Sequence, residues 1–200
     1  MHLQKFNNKR AMIKTGIYGG SFNPVHNGHI ALAHELRQLA GLDEIWFVVS
    51  PQNPLKTQAS LLDDRKRLDM TRRALEPYPE LVASNYEFAL PRPSYMWHTL
   101  QSLSARYPDR EFTLIIGADN WACFDRWYHA ADIIAHYPIV IYPRQGSTVD
   151  SSTLPPTVRL VDTPLYNISS TEVREDVRAG RDISTKVPSS IVDDVMRFYK

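Results

Sequence analysis

Two histidines three residues apart, His26 and His29, open a helical pattern in the run Gly19-Gly20-Ser21-Phe22-Asn23-Pro24-Val25-His26-Asn27-Gly28-His29-Ile30. Side chains at that spacing face the same way on a helix. The unpaired N–H groups of a first helical turn, together with the helix dipole, favour an anion. Two imidazoles beside such amides would meet phosphate oxygens. Gly19 and Gly20 lack a Cβ, which lets the backbone come close to a ligand. Blander readings of the same residues are a ligand-free glycine turn, an ordinary helix cap or a surface metal pair. A metal site fits less well, because the run is not H-E-x-x-H and no Cys or acidic cluster lies near it in sequence. It is also neither G-x-x-x-x-G-K-[ST] nor a clean G-x-G-x-x-G.

These residues need a strand before them and a helix after them. Ile13-Lys14-Thr15-Gly16-Ile17-Tyr18 reads as a short buried strand, and Ile30, Ala33, Leu36, Leu39 and Ala40 recur at helical spacing. The same alternation continues, with strands expected at 44–50, 81–84, 112–117, 138–142 and 158–161 and helices at 62–75 and 94–107. A Ser/Thr/Pro-rich loop spans 145–156, and a last helix is expected at 189–199, after Pro188. Strands alternating with helices predict an α/β fold, a parallel sheet flanked by helices, with ligands bound beyond the strands' carboxyl ends where strand order reverses. A second anion cradle is expected at Ile168-Ser169-Ser170-Thr171-Glu172-Val173-Arg174. There Ser169, Ser170 or Thr171 caps a helix and Arg174 lies in its first turns. The same residues also spell a capping box closed by Glu172 or Glu175.

Composition sets the outer limits. The chain has 200 residues, enough for one domain with a sizeable core, and a net charge of +1 that leaves no bulk footprint for nucleic acid or anionic lipid. Its apolar runs are too short for a membrane span, and its first ten residues lack the apolar centre of a signal peptide, so the expectation is a cytoplasmic protein without nucleic-acid or membrane partners. A homo-oligomer is compatible with the sequence. The one cysteine, Cys123, has no partner for an internal disulfide and is expected to be a small core residue.

The first run resembles, residue for residue, the G-[ST]-F-[DN]-P-x-[HT]-x-G-H signature of the nucleotidyltransferase superfamily, and 168–174 resembles its I-S-S-T-x-[IV]-[RK] motif. The resemblance implies that Gly20, Ser21, Phe22 and Gly28 border the nucleotide. It implies that His26 and His29 stabilise charge developing at the α-phosphate, and that Ile168, Ser169, Ser170, Thr171 and Arg174 hold the ATP phosphates.

Three further segments are similar to nicotinate-nucleotide adenylyltransferases. Pro51-Gln52-Asn53-Pro54-Leu55-Lys56 resembles that family's P-x-x-x-P-x-K loop, which implies active-site roles for Asn53 and Lys56, and Arg65, Leu68 and Met70 fit the helix that follows. Ser94-Tyr95-Met96-Trp97-His98-Thr99-Leu100 is similar to S-Y-T-x-x-T-L, with Tyr95 and Thr99 matching and Met96 standing where the first Thr is usual. Gly117-Ala118-Asp119 matches a G-x-D turn approaching the nucleotides, for which the residues themselves suggest Asp119 as a helix cap; Trp127 and Tyr128 match a W-Y pair framing the pyridine ring. The resemblance runs from about Ile13 to the end. It implies one Rossmann-like nucleotidyltransferase domain over 13–200, with 1–12 an N-terminal extension. The implied reaction is adenylyl transfer from ATP to nicotinate mononucleotide, with Mg²⁺ on the triphosphate and no dedicated metal cage. Alternatives are an amide-preferring nicotinamide mononucleotide adenylyltransferase, a phosphopantetheine adenylyltransferase, and a nucleotide-binding domain without catalysis.

Overall fold

Short runs of three to eight residues, most of them rich in apolar side chains, pair side by side into one parallel sheet. The computed structural model describes residues 11–51 and 61–200. The strands are β1 (Ile13–Gly20), β2 (Glu44–Val49), β3 (Leu81–Ser84), β4 (Arg110–Gly117), β5 (Ile139–Tyr142) and β6 (Val158–Leu160), in the order β3-β2-β1-β4-β5-β6. All five pairings are parallel, with Ile17 opposite Trp46 on one side and Leu114 on the other.

Both faces of the sheet are covered, which is why its central strands are apolar nearly throughout. Successive residues point to opposite faces: Tyr18 and Phe47 join one core, Ile17 and Val48 the other. The first core holds residues of α1 (Asn27–Leu39), α2 (Asp64–Leu75), α6 (Ser170–Arg178) and α7 (Val192–Phe198). The second holds those of α3 (Met96–Arg106), α4 (Ala118–Trp121) and α5 (Ala130–His136). Ile17, Leu114 and Ile139 have no exposed surface, and truncating any of them to Ala should cost roughly 2 to 5 kcal/mol. No helix among the described residues is long and apolar enough to cross a membrane.

Strand order reverses between β1 and β4, so the connections that leave these neighbours diverge and open a crevice at their carboxyl ends. The expected elements are present, with local differences. Gly19 and Gly20 lie inside β1, paired with Val48 and Val49, and the turn begins only at Ser21. Their missing side chains also leave room for neighbouring side chains: a Cβ would stand 2.9 Å from Met96 Cε at Gly19 and 2.9 Å from Phe22 Cζ at Gly20. Leu39, read as part of the apolar stripe, is 49% exposed, because α1 ends there and Gly41 at φ +62° turns the chain away. Cys123 is half-buried rather than core, its thiol facing the Asp119 and Asn120 carbonyls. Asp119 is not a cap: α4 has Gly117 at its N-cap position without a side-chain bond, and Asp119 falls within the helix. The short α5 and the 3-10 turns at Tyr86–Ala89 and Phe124–Arg126 lack the long periodicity that would reveal them in sequence.

Candidate active site

The histidine pair forms the entry to α1. His26 is the N-cap residue, in extended conformation, and its Nδ1 accepts from the His29 backbone N–H at 3.3 Å. The His29 Nδ1 in turn accepts from the His26 N–H at 3.3 Å, a capping box made of two imidazoles. Gly28 leaves room for the pair, since a Cβ there would lie 3.2 Å from His26 Nδ1. The Asn27 backbone N–H, another first-turn donor, is taken by the Lys186 carbonyl at 2.8 Å. His26 is buried, and burial, with the Arg144 charge adding to it, lowers its pKa to about 3. It is neutral at physiological pH.

The second motif locks the first in place. Ser169 caps α6 by accepting from the Glu172 N–H at 3.1 Å. Glu172 does not close a capping box but pairs with Lys186, which also meets Asp176 at 2.5 Å. Ser170 donates its hydroxyl to the Pro24 carbonyl at 2.8 Å. Arg174 donates to the Asn23 carbonyl at 2.7 Å and to Thr171 Oγ1 at 3.2 Å. Burial lowers the Arg174 pKa from its ordinary value. Asn23 Oδ1 accepts from the Tyr199 hydroxyl at 2.7 Å and from the Leu62 N–H at 3.2 Å. The loop after β1 is therefore held from α6, α7 and the start of α2 together.

Arg67 is a further clamp. It is 1% exposed, and among the described residues its hydrogen bonds go to carbonyls rather than carboxylates. Its guanidinium donates to the carbonyls of Ser21 at 2.5 Å, Ser50 at 3.0 Å and Leu62 at 2.8 Å. One side chain thus ties the ends of β1 and β2 to α2.

Two cavities open at the carboxyl edge of the sheet. One, of about 480 Å³, is bordered by Tyr18, His26, His29, Arg144, Asn167 and Ser169, among others. The other, of about 450 Å³, is bordered by Ser21, Glu87, Ser94, Tyr95, Trp127 and Tyr128, among others. They share Tyr18, Asp119 and Tyr142. Asp119 pairs with Arg144 at 3.6 Å, across the mouth of β4 and β5. Burial raises the pKa values of Tyr18 and Tyr142, so both hydroxyls keep their protons.

Of the residues singled out in sequence, His26, His29, Gly28, Ile168, Ser169 and Asp119 border the first cavity. Gly20, Ser21, Gly117, Tyr95, Trp127 and Tyr128 border the second. Phe22 is buried with its ring 5.2 Å from those of His29 and Phe47, supporting the motif from below. Thr99 is fully buried and donates to Glu87 at 3.0 Å. Ser170, Thr171 and Arg174 bond to the motif loop and to one another as above, and Asn53 and Lys56 lie outside the described residues. Sequence reasoning passed over Arg67, Glu87, Arg144 and Tyr142. Arg144 and Tyr142 were within its reach, since they stand at the carboxyl end of a predicted strand, where such sheets place their ligands. Glu87 and Arg67 gave no signal beyond an acid in a loop and a base in a basic helix.

Known proteins resemble this chain in sequence and in fold. The cytidylyltransferase-like family model matches residues 17–176. A Bacteroides fragilis protein named "probable nicotinate-nucleotide adenylyltransferase" is 53% identical over 173 residues, 86% of each chain. A protein of the same name from Bacteroides thetaiotaomicron is 53% identical over 171 residues, 86% of this chain and 85% of the relative. The structure of Plasmodium falciparum nicotinic acid mononucleotide adenylyltransferase complexed with NaAD superposes with a TM-score of 0.78 at 20% identity, covering 92% of this chain and 95% of the other, a likeness of fold. The chain belongs to the cytidylyltransferase-like nucleotidyltransferases and, within them, to the nicotinate-nucleotide adenylyltransferase family.

Proposed function

We propose that the protein transfers the adenylyl group of ATP to nicotinate mononucleotide, giving deamido-NAD and pyrophosphate. The observation that carries this reading is the pair of cavities meeting at Tyr18, Asp119 and Tyr142, one beside the histidine pair and the other beside aromatic side chains. ATP occupies the first cavity and the mononucleotide the second, so that the two phosphates approach each other where the cavities join.

An oxygen of the mononucleotide phosphate attacks the α-phosphorus in line, and the bond from that phosphorus to the bridging oxygen of pyrophosphate breaks. A phosphate monoester is mostly ionised near pH 7, so the attack needs no catalytic base. What the protein supplies is alignment of two mutually repelling anions and donors for the charge that builds at the α-phosphate. His26 and His29 provide ring N–H donors there, Arg144 a positive charge on the same wall, and Lys56 and Arg174 the further cations that the family resemblance assigns. Trp127 and Tyr128 frame the pyridine ring, whose flat face suits aromatic contact.

The donor set also fits Mg²⁺ as a partner of ATP. Asp119 is the one carboxylate among the described residues that borders both cavities. That suits an ion that keeps most of its water and is held chiefly by phosphate oxygens. When bound, it offsets triphosphate charge.

Pyrophosphate release from MgATP, with nicotinate mononucleotide, nicotinamide mononucleotide and phosphopantetheine supplied separately, tests the reading. Turnover with the nicotinate substrate well above the other two is expected. Preference for either of the others would replace it.

A further inference from the structure

Among the described residues Tyr18, Asp119 and Tyr142 border both cavities. Two of them carry uncharged hydroxyls, at the place where a pair of anions must meet. Tyr18 lies in β1 and Tyr142 ends β5, with β4 between them, and both belong to the core that packs against α1. Their rings meet edge to face across β4, with 6.1 Å between centroids and 89° between planes, and their hydroxyls are hydrogen-bonded to each other.

Neighbouring side chains fix this arrangement. The rings of Phe22, His29 and Phe47 stand 5.6, 6.2 and 5.2 Å from that of Tyr18, so it cannot turn away. Gly117 is the register partner of Tyr142 in β4, and a Cβ there would collide with Asp119 Oδ1 and stand 2.9 Å from Arg144 Cγ. The ion pair of Asp119 and Arg144 closes over that strand end at 3.6 Å. Arg144 thereby offsets a carboxylate charge that would repel phosphate, and the two hydroxyls remain beside it as donors. When one phenol donates to another, the acceptor keeps its own hydrogen free for a further partner. Here the bond holds the hydrogen on Tyr18 and makes Tyr142 the acceptor.

We propose that Tyr142 is a further catalytic residue of the transfer: its hydroxyl donates to a non-bridging oxygen of the α-phosphate where the two cavities join, and Tyr18 is the positioning residue that aims it. The proposal rests on the adenylyltransferase reading above and adds a donor to its transition state. No bond to the protein forms and no proton is transferred; the hydrogen bond strengthens as charge builds on that oxygen. A donor already held in place needs no reorientation as the charge grows, so it favours the transition state over bound ATP.

The test is the single-turnover rate of adenylyl transfer from MgATP to nicotinate mononucleotide, which separates the chemical step from product release. Wild type, Tyr142→Phe, Tyr18→Phe and the double variant are compared, each verified as folded by its melting curve. Phenylalanine keeps the ring contacts and removes only the hydroxyl. Tyr142→Phe should slow transfer at least about tenfold, while the steady-state KM for each substrate stays within about threefold. Tyr18→Phe should slow it less, and the double variant should be no slower than Tyr142→Phe, because Tyr18 acts through that hydroxyl. A second readout uses ATP with sulfur in place of one non-bridging α-phosphate oxygen, each diastereomer separately. Sulfur is a weak acceptor, so with one diastereomer the wild type should lose more rate than Tyr142→Phe does. The metal's preference for oxygen is common to both enzymes and cancels in that comparison. Unchanged transfer by Tyr142→Phe, losses that multiply in the double variant, or equal sulfur effects in wild type and variant overturn the assignment while leaving the adenylyltransferase reading intact. A folded wild type that transfers nothing to nicotinate mononucleotide overturns both.

Discussion

The imidazole rings of His26 and His29 stack with 3.6 Å between centroids and 25° between planes, and each Nδ1 accepts the backbone N–H of the other residue. Because an imidazole nitrogen that accepts a hydrogen bond cannot carry the hydrogen, this reciprocal cap sets both tautomers. The hydrogen of the neutral His26 ring is therefore on Nε2, the nitrogen remote from the cap, and the His29 ring likewise carries a hydrogen on Nε2. One local contact therefore starts α1 and turns two rings into donors at the edge of the first cavity.

His29→Ala should lower kcat on the order of a hundredfold or more while ATP binds nearly as before, by analogy with the loss of an oxyanion donor. Steady-state kinetics with a separate ATP titration measure the two quantities, and equal turnover by the folded variant would remove His29 from the proposed chemistry.

His26 gives a pH signature in stability. Its native pKa is about 3, against about 6.5 in an unfolded chain. Above pH 6.5 the ring is neutral in both states and adds no pH dependence. Below it the unfolded chain binds a proton that the native state refuses, so stability falls as pH drops from about 6.5 toward 3, by on the order of 4 kcal/mol over the window. His26→Asn retains a good N-cap without a titrating group. Denaturant unfolding at a series of pH values should show a shallower acid decline for the variant, by up to about 1.4 kcal/mol per pH unit. Parallel declines would mean that the ring protonates in the native state.

For Arg67→Lys the expectation is a loss of roughly 3 kcal/mol. An ammonium cannot reproduce the planar fork, and the Ser21, Ser50 and Leu62 carbonyls are left short of donors. Since Ser21 opens the loop that leads to His26 and His29, kcat should fall as well. A variant with wild-type unfolding midpoint and turnover would show that these carbonyls do not need the guanidinium.

Trp127→Ala should act on one substrate. The side chain borders the second cavity and not the first, so KM for the mononucleotide should rise about tenfold or more while ATP affinity stays within about twofold. An unchanged mononucleotide KM would count against ring contact by the indole.

What the sequence by itself determined lies within short windows. Alternating apolar runs such as Glu44–Val49 placed strands, Ser169 announced the start of α6, and the spacing of His26 and His29 announced a shared face, because each depends on neighbours one to four residues away. The reversal point of a βαβ sheet then located the site in outline. Only the tertiary structure decided which polar groups converge there. Glu87, Ser94 and Trp127 border one cavity from different segments, and Arg67 spans 46 residues to reach Ser21. The same holds for the smaller surprises. Gly19 and Gly20 are spaces for Met96 and Phe22, and Leu39 faces solvent because its helix ends at the edge of the core. Packing acts through distance in space, and residue type records it only where the contact happens to be local.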